Sequence, residues 1–366
     1  MPFLSKKKIF LDTIVYSFAF VIAQIVSFIV LPVFISGLGS ELYGIWVIAN
    51  LLLGYLAVFD FGFTTGLQKY IVESRLNKDF KLMSKIIVTG AIALFSIGGI
   101  LGLTIYSYTD ELIAFFQISN ENKQIAYDII RITAIFTPLL WSLKIIDVLL
   151  KTEVKIRELG ILHSLVQMIP SIVLLILISN KYNIIEIKWI HSVTLLLSYF
   201  PGIYFIKKAN LNIELKIKHF SMRQLKNMFR FNAGMFYMSV ISLLAVRLDS
   251  VIIAKFISVQ AVTIYAVIGK TYQLVQMIGN MVMTSLLPIS FNILPKANPI
   301  ERSQLISSAV KYRTIVMSFS STILILIMPS FIRNWMGPEF EQYVYWGQVY
   351  LICHFFSGLM SLSRVG

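Results

Sequence analysis

The stretch GSELYGIWVIANLLLGYLAVFDFGFTTGLQKY, from Gly39 to Tyr70, is apolar enough to cross a membrane, yet it contains a carboxylate at Asp60. Between Ile45 and Leu67, Asp60 is the single acidic or basic side chain. An aspartate at the centre of a membrane helix costs about 2.5–3.5 kcal/mol on insertion scales. The stretch therefore predicts a membrane-spanning helix with a polar group that needs a partner or a wet cavity.

The composition of the whole chain supports a membrane protein. Of its 366 residues, 57% are hydrophobic and only 14% are charged, and the mean hydropathy is +0.78. Apolar runs near the ~20 residues that a helix needs to cross a bilayer recur along the sequence. The lone Cys353 and the four scattered histidines have no metal-ligand spacing, so we expect no metal site and no cofactor.

These runs predict an all-α, polytopic membrane protein with about ten transmembrane helices. The predicted spans are Leu11–Ser36, Ile45–Leu67, Ile86–Tyr108, Ala126–Val148, Leu159–Ser179, Ile184–Ile206, Phe231–Phe256, Ala261–Ile289, Val310–Ile332 and Tyr343–Leu362.

The basic residues give these spans an orientation. With the N-terminal lysines on the cytoplasmic side, most of the 32 Lys and Arg residues fall on that side, as the positive-inside rule requires. The opposite side carries only Lys123, Lys181, Lys188 and Arg333. The bias predicts a cytoplasmic N-terminus, and it accounts for the net charge of +14 without a nucleic-acid partner.

A basic polar segment at 207–230 divides the chain into a six-helix N-terminal lobe, 1–206, and a C-terminal lobe, 231–366. Within the segment, Ser221 and Gln224 have capping-box spacing. The apolar residues that follow share one face of a short helix (Leu225, Met228 and Phe229). We expect an amphipathic cytoplasmic linker that is drawn to anionic lipid or has a regulatory role.

A weak internal repeat relates the two lobes. Phe34-Ile35-Ser36 matches Phe256-Ile257-Ser258, and Tyr43 matches Tyr265 at the same offset. Each stretch joins the first two helices of a lobe, and six spans separate them, so the lobes are expected to be parallel repeats. On this spacing the second lobe has four helices, and we expect it to be truncated at Gly366.

Several stretches resemble the polysaccharide-export flippases. They are Gly39-Ser-Glu-Leu-Tyr-Gly44, Phe59-Asp-Phe-Gly62, Leu225-Lys-Asn-Met-Phe-Arg-Phe-Asn-Ala-Gly234, Arg247-Leu-Asp249 and IYAVIGKTYQLVQMIGNMVMTSLLPISFNIL from Ile264. The resemblance extends along the chain at the level of patterns. It places the chain in a superfamily that includes multidrug and toxin extruders and the lipid II flippase.

The resemblance implies two lobes around a cavity that opens alternately to each side of the cytoplasmic (inner) membrane. The implied cargo is a polyprenyl-pyrophosphate-linked oligosaccharide, such as an O-antigen or capsule repeat unit. Membrane lipid is a further expected partner, and we expect a monomer that is not an enzyme.

Two roles remain open for Asp60, which lies about 12 Å from the cytoplasmic end of its predicted helix at 1.5 Å per residue. It can take a coupling proton or sodium ion, or it can accept hydrogen bonds at a helix break beside Gly62 and Gly66.

Three charged residues in the second lobe are candidates for cargo binding. Arg247 and Lys270 are predicted to lie within spans, and a guanidinium can donate two hydrogen bonds to a pyrophosphate. Asp249 is expected to hold one of these cations when the site is empty, or to take part in ion coupling. A purely structural ion network is the alternative.

Arg131 is a further candidate for contact with pyrophosphate or sugar. Asp128 lies three residues earlier, a spacing that allows an ion pair near the outer interface. Such a pair favours a structural role.

Two other functions stay open at this stage. A cation-coupled drug exporter would share the architecture but would need acids and aromatic residues in its cavity. A membrane glycosyltransferase or polymerase would need a long outward loop with catalytic groups, and the longest predicted outward loop, Thr109–Gln124, is short.

Overall fold

The computed structural model describes residues 6–56, 63–153, 155–208, 213–229, 248–285 and 298–362. Within these ranges the chain forms α-helices and short 3-10 turns, and no strand.

The first half contains nine helices within the described ranges: α1 (Lys6–Leu38), α2 (Ser40–Leu56), α3 (Phe63–Leu76), α4 (Phe80–Ser107), α5 (Thr109–Phe115), α6 (Lys123–Thr152), α7 (Ile156–Ser179), α8 (Ile184–Leu197) and α9 (Phe200–Lys208). Later described residues form α10 (222–229), α11 (248–256), α12 (Val259–Ser285), α13 (Pro299–Met336) and α14 (Val344–Leu362). The 3-10 turns are Ile217–His219 and Pro338–Tyr343.

Six helical segments among the described residues are long and apolar enough to cross a membrane. They are Phe18–Leu38, Phe80–Ser107, Lys123–Thr152, Arg157–Ser179, Ile184–Lys208 and Val310–Met336, and the shorter apolar helix Ser40–Leu53 accompanies them. The prediction of an all-α, polytopic membrane protein is therefore confirmed. The total of ten spans and the arrangement in two lobes stay predictions.

Capping residues in the sequence explain where several helices begin. The Asn183 side chain accepts a hydrogen bond from the Ile185 amide at 3.0 Å, and Glu186 accepts one from the Asn183 amide at 3.2 Å, which completes a capping box. Asn298 and Glu301 form the same motif at the start of α13. Asp79 caps α4 through the Leu82 amide at 2.8 Å.

The described residues fall into two compact units. One comprises Val33–Thr263, and the other comprises Met1–Pro32 together with Ile264–Gly366. The boundaries cross α1 at Pro32 and α12 at Thr263, whereas the predicted lobe boundary lies in the linker at 207–230. The division into lobes stays a prediction.

Two prolines within helices of the second unit free carbonyl groups that other helices then satisfy. Pro32 has no amide proton to donate to the Phe28 carbonyl, and the Trp335 indole donates to that carbonyl at 3.1 Å. Pro329 frees the Ile325 carbonyl in the same way, and the Gln348 side chain donates to it at 3.0 Å. The indole ring of Trp335 also stacks on Phe28 with the centroids 3.8 Å apart.

Close backbone packing joins α4 to α6 in the Val33–Thr263 unit. A Cβ atom on Gly98 would lie 2.8 Å from the Trp141 Cβ and 2.9 Å from the Pro138 Cα. Gly102, one turn later, approaches the Ala134 carbonyl, the group that Pro138 frees. Small residues let membrane helices approach in this way, and Gly98 is required because its neighbours are backbone and Cβ atoms.

We predict that Gly98→Ala destabilises the protein, whereas Gly99→Ala does not. The new methyl group at residue 98 forces α4 away from α6, and overpacking of this kind costs about 1–3 kcal/mol. A Cβ at Gly99 meets no atom within 4 Å. Thermal unfolding of the two purified variants in the same lipid checks this, and equal melting temperatures would contradict the packing.

We also predict that Trp335→Phe lowers the melting temperature. Phenylalanine keeps an aromatic ring beside Phe28 but removes the indole donor, which leaves a carbonyl unpaired at a cost of about 1–3 kcal/mol. Trp346→Phe is the matched control because Trp346 is 62% exposed. A Trp335→Phe protein that melts with the control would show that the Phe28 carbonyl needs no donor.

Candidate functional site

Lys270 lies on α12 and faces α1. Its ammonium donates to the Ser27 hydroxyl at 2.8 Å, and the side chain is half-buried. No carboxylate among the described residues forms an ion pair with Lys270. Among the described residues, the group that positions the Lys270 ammonium is therefore a neutral hydroxyl.

The opposite face of α12 packs on α14 through tyrosines. The hydroxyls of Tyr265 and Tyr350 are 3.5 Å apart, and the Tyr265 and Tyr272 rings meet the Tyr350 ring edge-on. Positions 265 and 272 are two helical turns apart, so they share a face from which Lys270 points away. This contact fixes the rotation of α12 and directs Lys270 toward α1.

An aromatic cluster surrounds Phe28, the residue that follows Ser27 on α1. Phe28, Phe331 and Trp335 form one cluster, with the Phe331 and Trp335 centroids 5.5 Å apart. The hydrogen bond from Trp335 to Phe28 fixes the turn of α1 that carries Ser27. The position of Lys270 therefore depends on helices α1, α12, α13 and α14 of one compact unit.

Arg131 lies in the other compact unit and packs between two tyrosine rings. Its guanidinium carbon is 4.2 Å from the Tyr106 centroid and 3.9 Å from the Tyr127 centroid, distances of strong cation–π contacts. One nitrogen also donates to the Tyr106 hydroxyl at 3.3 Å. Asp128 instead accepts from Gln124 at 3.4 Å, and no ion pair joins Asp128 to Arg131.

Of the other predicted site residues, the structure describes Asp249. Asp249 lies on α11 with an exposed side chain. Asp60 and Arg247 lie outside the described residues, as do the helix break predicted beside Gly62 and the pairing of Arg247 with Asp249.

Lys188 is a buried cation near the start of the predicted span Ile184–Ile206, where the sequence pattern indicates only the outward side. It lies in the second turn of α8, is 2% exposed, and its ammonium is 4.5 Å from the Trp46 ring centroid. The His191 ring meets the same indole edge-on at 5.0 Å. The capping box at Asn183 and Glu186 is the signal that places Lys188 inside the helix.

Asp147 and His163 form a second polar cluster that the sequence pattern did not reveal. The Asp147 Oδ1 and His163 Nε2 atoms are 3.1 Å apart and join α6 to α7. Lys144, one turn before Asp147, lies over the Trp141 ring at 3.6 Å. Nothing in the spacing along the chain connects residues 147 and 163, because the pair depends on how the two helices pack.

The sequence matches the family described as polysaccharide biosynthesis protein over residues 9–294. A Shigella flexneri protein named for O-antigen transport is 24% identical over 256 residues, which are 68% of this chain and 58% of that protein. A Yersinia pseudotuberculosis protein named for O-antigen export is 24% identical over 331 residues, which are 87% of this chain and 73% of that protein. The chain thus spans less than two thirds of the first relative's length.

Two solved structures show the same fold at low sequence identity. An inward-facing multidrug resistance MATE family transporter of the MOP superfamily aligns with a TM-score of 0.69 and 14% identity, over 93% of this chain and 80% of that one. The lipid II flippase MurJ, in an inward closed conformation, aligns with a TM-score of 0.69 and 17% identity, over 95% and 74%.

The predicted resemblance is confirmed, since the family match covers well over half of the chain. This polytopic membrane protein belongs to the polysaccharide biosynthesis protein family.

Proposed function

We propose that the chain is a flippase that moves polyprenyl-pyrophosphate-linked oligosaccharide repeat units across the cytoplasmic membrane. The product would supply O-antigen, capsule or another surface polysaccharide. The observation that carries the proposal is Lys270, a cation in the predicted span Ala261–Ile289 that is held by the Ser27 hydroxyl and by no carboxylate among the described residues. Its charge is left to attract an anion, and a pyrophosphate is the anionic part of such a cargo.

In this proposal Arg247 and Arg131 are further groups that bind pyrophosphate or sugar. Asp60 and Asp249 are the groups for ion coupling or gating, with a proton or sodium as the ion. The proposed orientation places the N-terminus in the cytoplasm.

A cation-coupled multidrug exporter is the second candidate because a MATE transporter shares the fold. A site for cationic drugs needs carboxylates to attract the drug, whereas Lys270 would repel it. Among the described residues, the recorded partner of the Lys270 ammonium is the Ser27 hydroxyl and not a carboxylate, which favours an anionic cargo.

An enzymatic function has less support. The predicted outward loop contains the short helix α5, and its Ser119 hydroxyl donates to Glu41 at 2.5 Å. Glu41 therefore has a structural partner. The names of the relatives also indicate transport or export rather than catalysis.

For the mechanism we propose alternating access. The gate is formed where the connection between α1 and α2 contacts the connection between α11 and α12, the two stretches that the internal repeat relates. The Ser40 carbonyl accepts from the Thr263 hydroxyl at 2.6 Å, and Gln260 donates to the Ser40 hydroxyl at 3.1 Å. Gly44 lies against the Val259 backbone, where a Cβ would clash with the Val259 carbonyl. Opening this contact would let sugars and pyrophosphate leave, while the polyprenyl tail stays in lipid.

Charge variants test the cargo site. In liposomes that contain lipid-linked oligosaccharide, with glycosidase access as the readout, we expect Lys270→Glu and Arg247→Glu to reduce flipping at least ~10-fold, the loss of one charge-assisted contact. Lys270→Arg should retain part of the rate.

Lys255→Gln is the control because Lys255 lies over the Phe115 ring at 4.7 Å and is predicted to snorkel at its span end. Full flipping by Lys270→Glu would remove the observation on which the proposal rests. Export of a cationic dye with no flipping would favour the drug exporter.

Cross-linking tests the gate. In a Cys353→Ser background, we expect a short bis-methanethiosulfonate reagent to join Ser40→Cys to Gln260→Cys and to stop flipping, with recovery after reduction. The two single-cysteine variants, treated in the same way, should keep their rates. A cross-linked protein that flips at the untreated rate would show that the contact does not open during transport.

A further inference from the structure

Part of the apolar face predicted for the linker packs against the protein. Met228 is fully buried, the Phe229 ring contacts Phe63 at 5.2 Å, and the Tyr70 hydroxyl donates to the Asn227 carbonyl at 3.3 Å. Phe229 is nevertheless 39% exposed and Leu225 is half-buried, so the protein covers this face only in part. Contact of the face with lipid stays a prediction.

A different set of apolar residues in the same linker is exposed. Leu215 is 71% exposed, Ile217 is 84% exposed, and Met222 is 65% exposed. They alternate with exposed cations at Lys216 and Lys218, and Arg223 follows Met222. Apolar side chains of this size between basic residues are typical of segments that lie in a membrane interface.

Hydrogen bonds to α4 place this segment at the level of the membrane surface. The Glu214 amide donates to the Ser84 hydroxyl, and the Ser221 amide donates to the Thr89 hydroxyl, both at 3.0 Å. At 1.5 Å per residue, Ser84 and Thr89 lie about 6 and 13 Å along a helix that is about 42 Å long. A hydrocarbon core of about 30 Å leaves about 6 Å of such a helix outside at each end. Ser84 therefore lies at the core boundary and Thr89 about 7 Å inside it, so the segment extends from the membrane surface into the outer part of the core.

The charges of residues 213–223 indicate which class of lipid this segment binds. Glu214 is paired with Lys216 at 3.0 Å, and the hydrogen bond from Lys216 holds the pKa of the Glu214 carboxyl below its usual range. Lys218 and Arg223 have no carboxylate partner among the ion pairs of the described residues. Basic residues beside a membrane surface are attracted to anionic headgroups.

We propose that residues 213–223 form a binding surface for anionic phospholipids of the leaflet at this end of α4. Leu215 and Ile217 insert at the acyl boundary, and Lys216, Lys218 and Arg223 contact the lipid phosphates. This surface anchors the part of the linker that precedes α10 in the membrane interface. The proposal does not depend on which cargo the protein carries.

A fluorescent probe on the linker tests this surface directly. Ile217→Cys in a Cys353→Ser background is labelled with an environment-sensitive dye, and the full chain is placed in liposomes with acyl-brominated lipids. We expect a blue-shifted emission that bromine quenches, with more quenching in mixtures of phosphatidylglycerol and phosphatidylcholine than in phosphatidylcholine alone. As a control, the same dye on Glu121→Cys, an exposed turn position, should stay in water in both lipid compositions.

Matched charge variants separate lipid recognition from simple exposure. We expect Lys216→Gln/Lys218→Gln/Arg223→Gln to lose the gain in quenching that phosphatidylglycerol produces. The control Lys123→Gln/Lys181→Gln/Arg333→Gln removes the same number of exposed cations elsewhere and should keep it. The proposal is overturned if the Ile217 probe stays aqueous, or if the triple linker variant keeps its response to phosphatidylglycerol.

Discussion

Backbone carbonyl groups in an apolar environment must have donors, and this constraint organises the unit that contains Lys270. Pro32 and Pro329 each remove a donor from a long helix. The missing bonds are replaced by side chains on other helices, from Trp335 to the Phe28 carbonyl and from Gln348 to the Ile325 carbonyl. Since each replacement bond joins two helices, the prolines determine which helices must pack together.

The position of Lys270 follows from these bonds. Ser27 precedes Phe28, so the bond from Trp335 fixes the turn of α1 that presents the Ser27 hydroxyl to Lys270. The tyrosine contacts between α12 and α14 fix the opposite face of α12, the helix that carries Lys270. Among the described residues Lys270 is held by a hydroxyl and by no carboxylate, which is the basis for proposing a pyrophosphate cargo.

The sequence predicts well those features that depend on composition and on local signals. Apolar runs predicted the membrane helices, and capping residues such as Asn183 and Glu186 mark a helix start within a residue. The positive-inside count assigns Lys188, within the predicted span Ile184–Ile206, to the outward side. Such a count considers side and not burial, so it does not predict that Lys188 is buried beside Trp46. Arg131 has Asp128 at pairing spacing along its helix, but its guanidinium contacts the rings of Tyr127, one turn earlier on α6, and of Tyr106 on α4. The Tyr106 contact depends on packing between helices, which cannot be read from spacing.

The linker shows the same difference between local pattern and packing. The pattern of Leu225, Met228 and Phe229 predicts an apolar helix face, and such a face does form. Met228 of this face is buried and Phe229 contacts Phe63 on α3, whereas Leu215 and Ile217 elsewhere in the linker are exposed. The pattern identifies an amphipathic segment but not which apolar surface the protein itself covers.

Whether the protein flips lipid-linked oligosaccharide is tested most directly in the cell that makes it. The gene is deleted, and lipid-linked oligosaccharide on each leaflet of the cytoplasmic membrane is measured by its access to a membrane-impermeant glycosidase. If the protein is this flippase, the oligosaccharide accumulates on the cytoplasmic leaflet of the deletion strain and the outer leaflet is depleted. An unchanged distribution between the leaflets would contradict it.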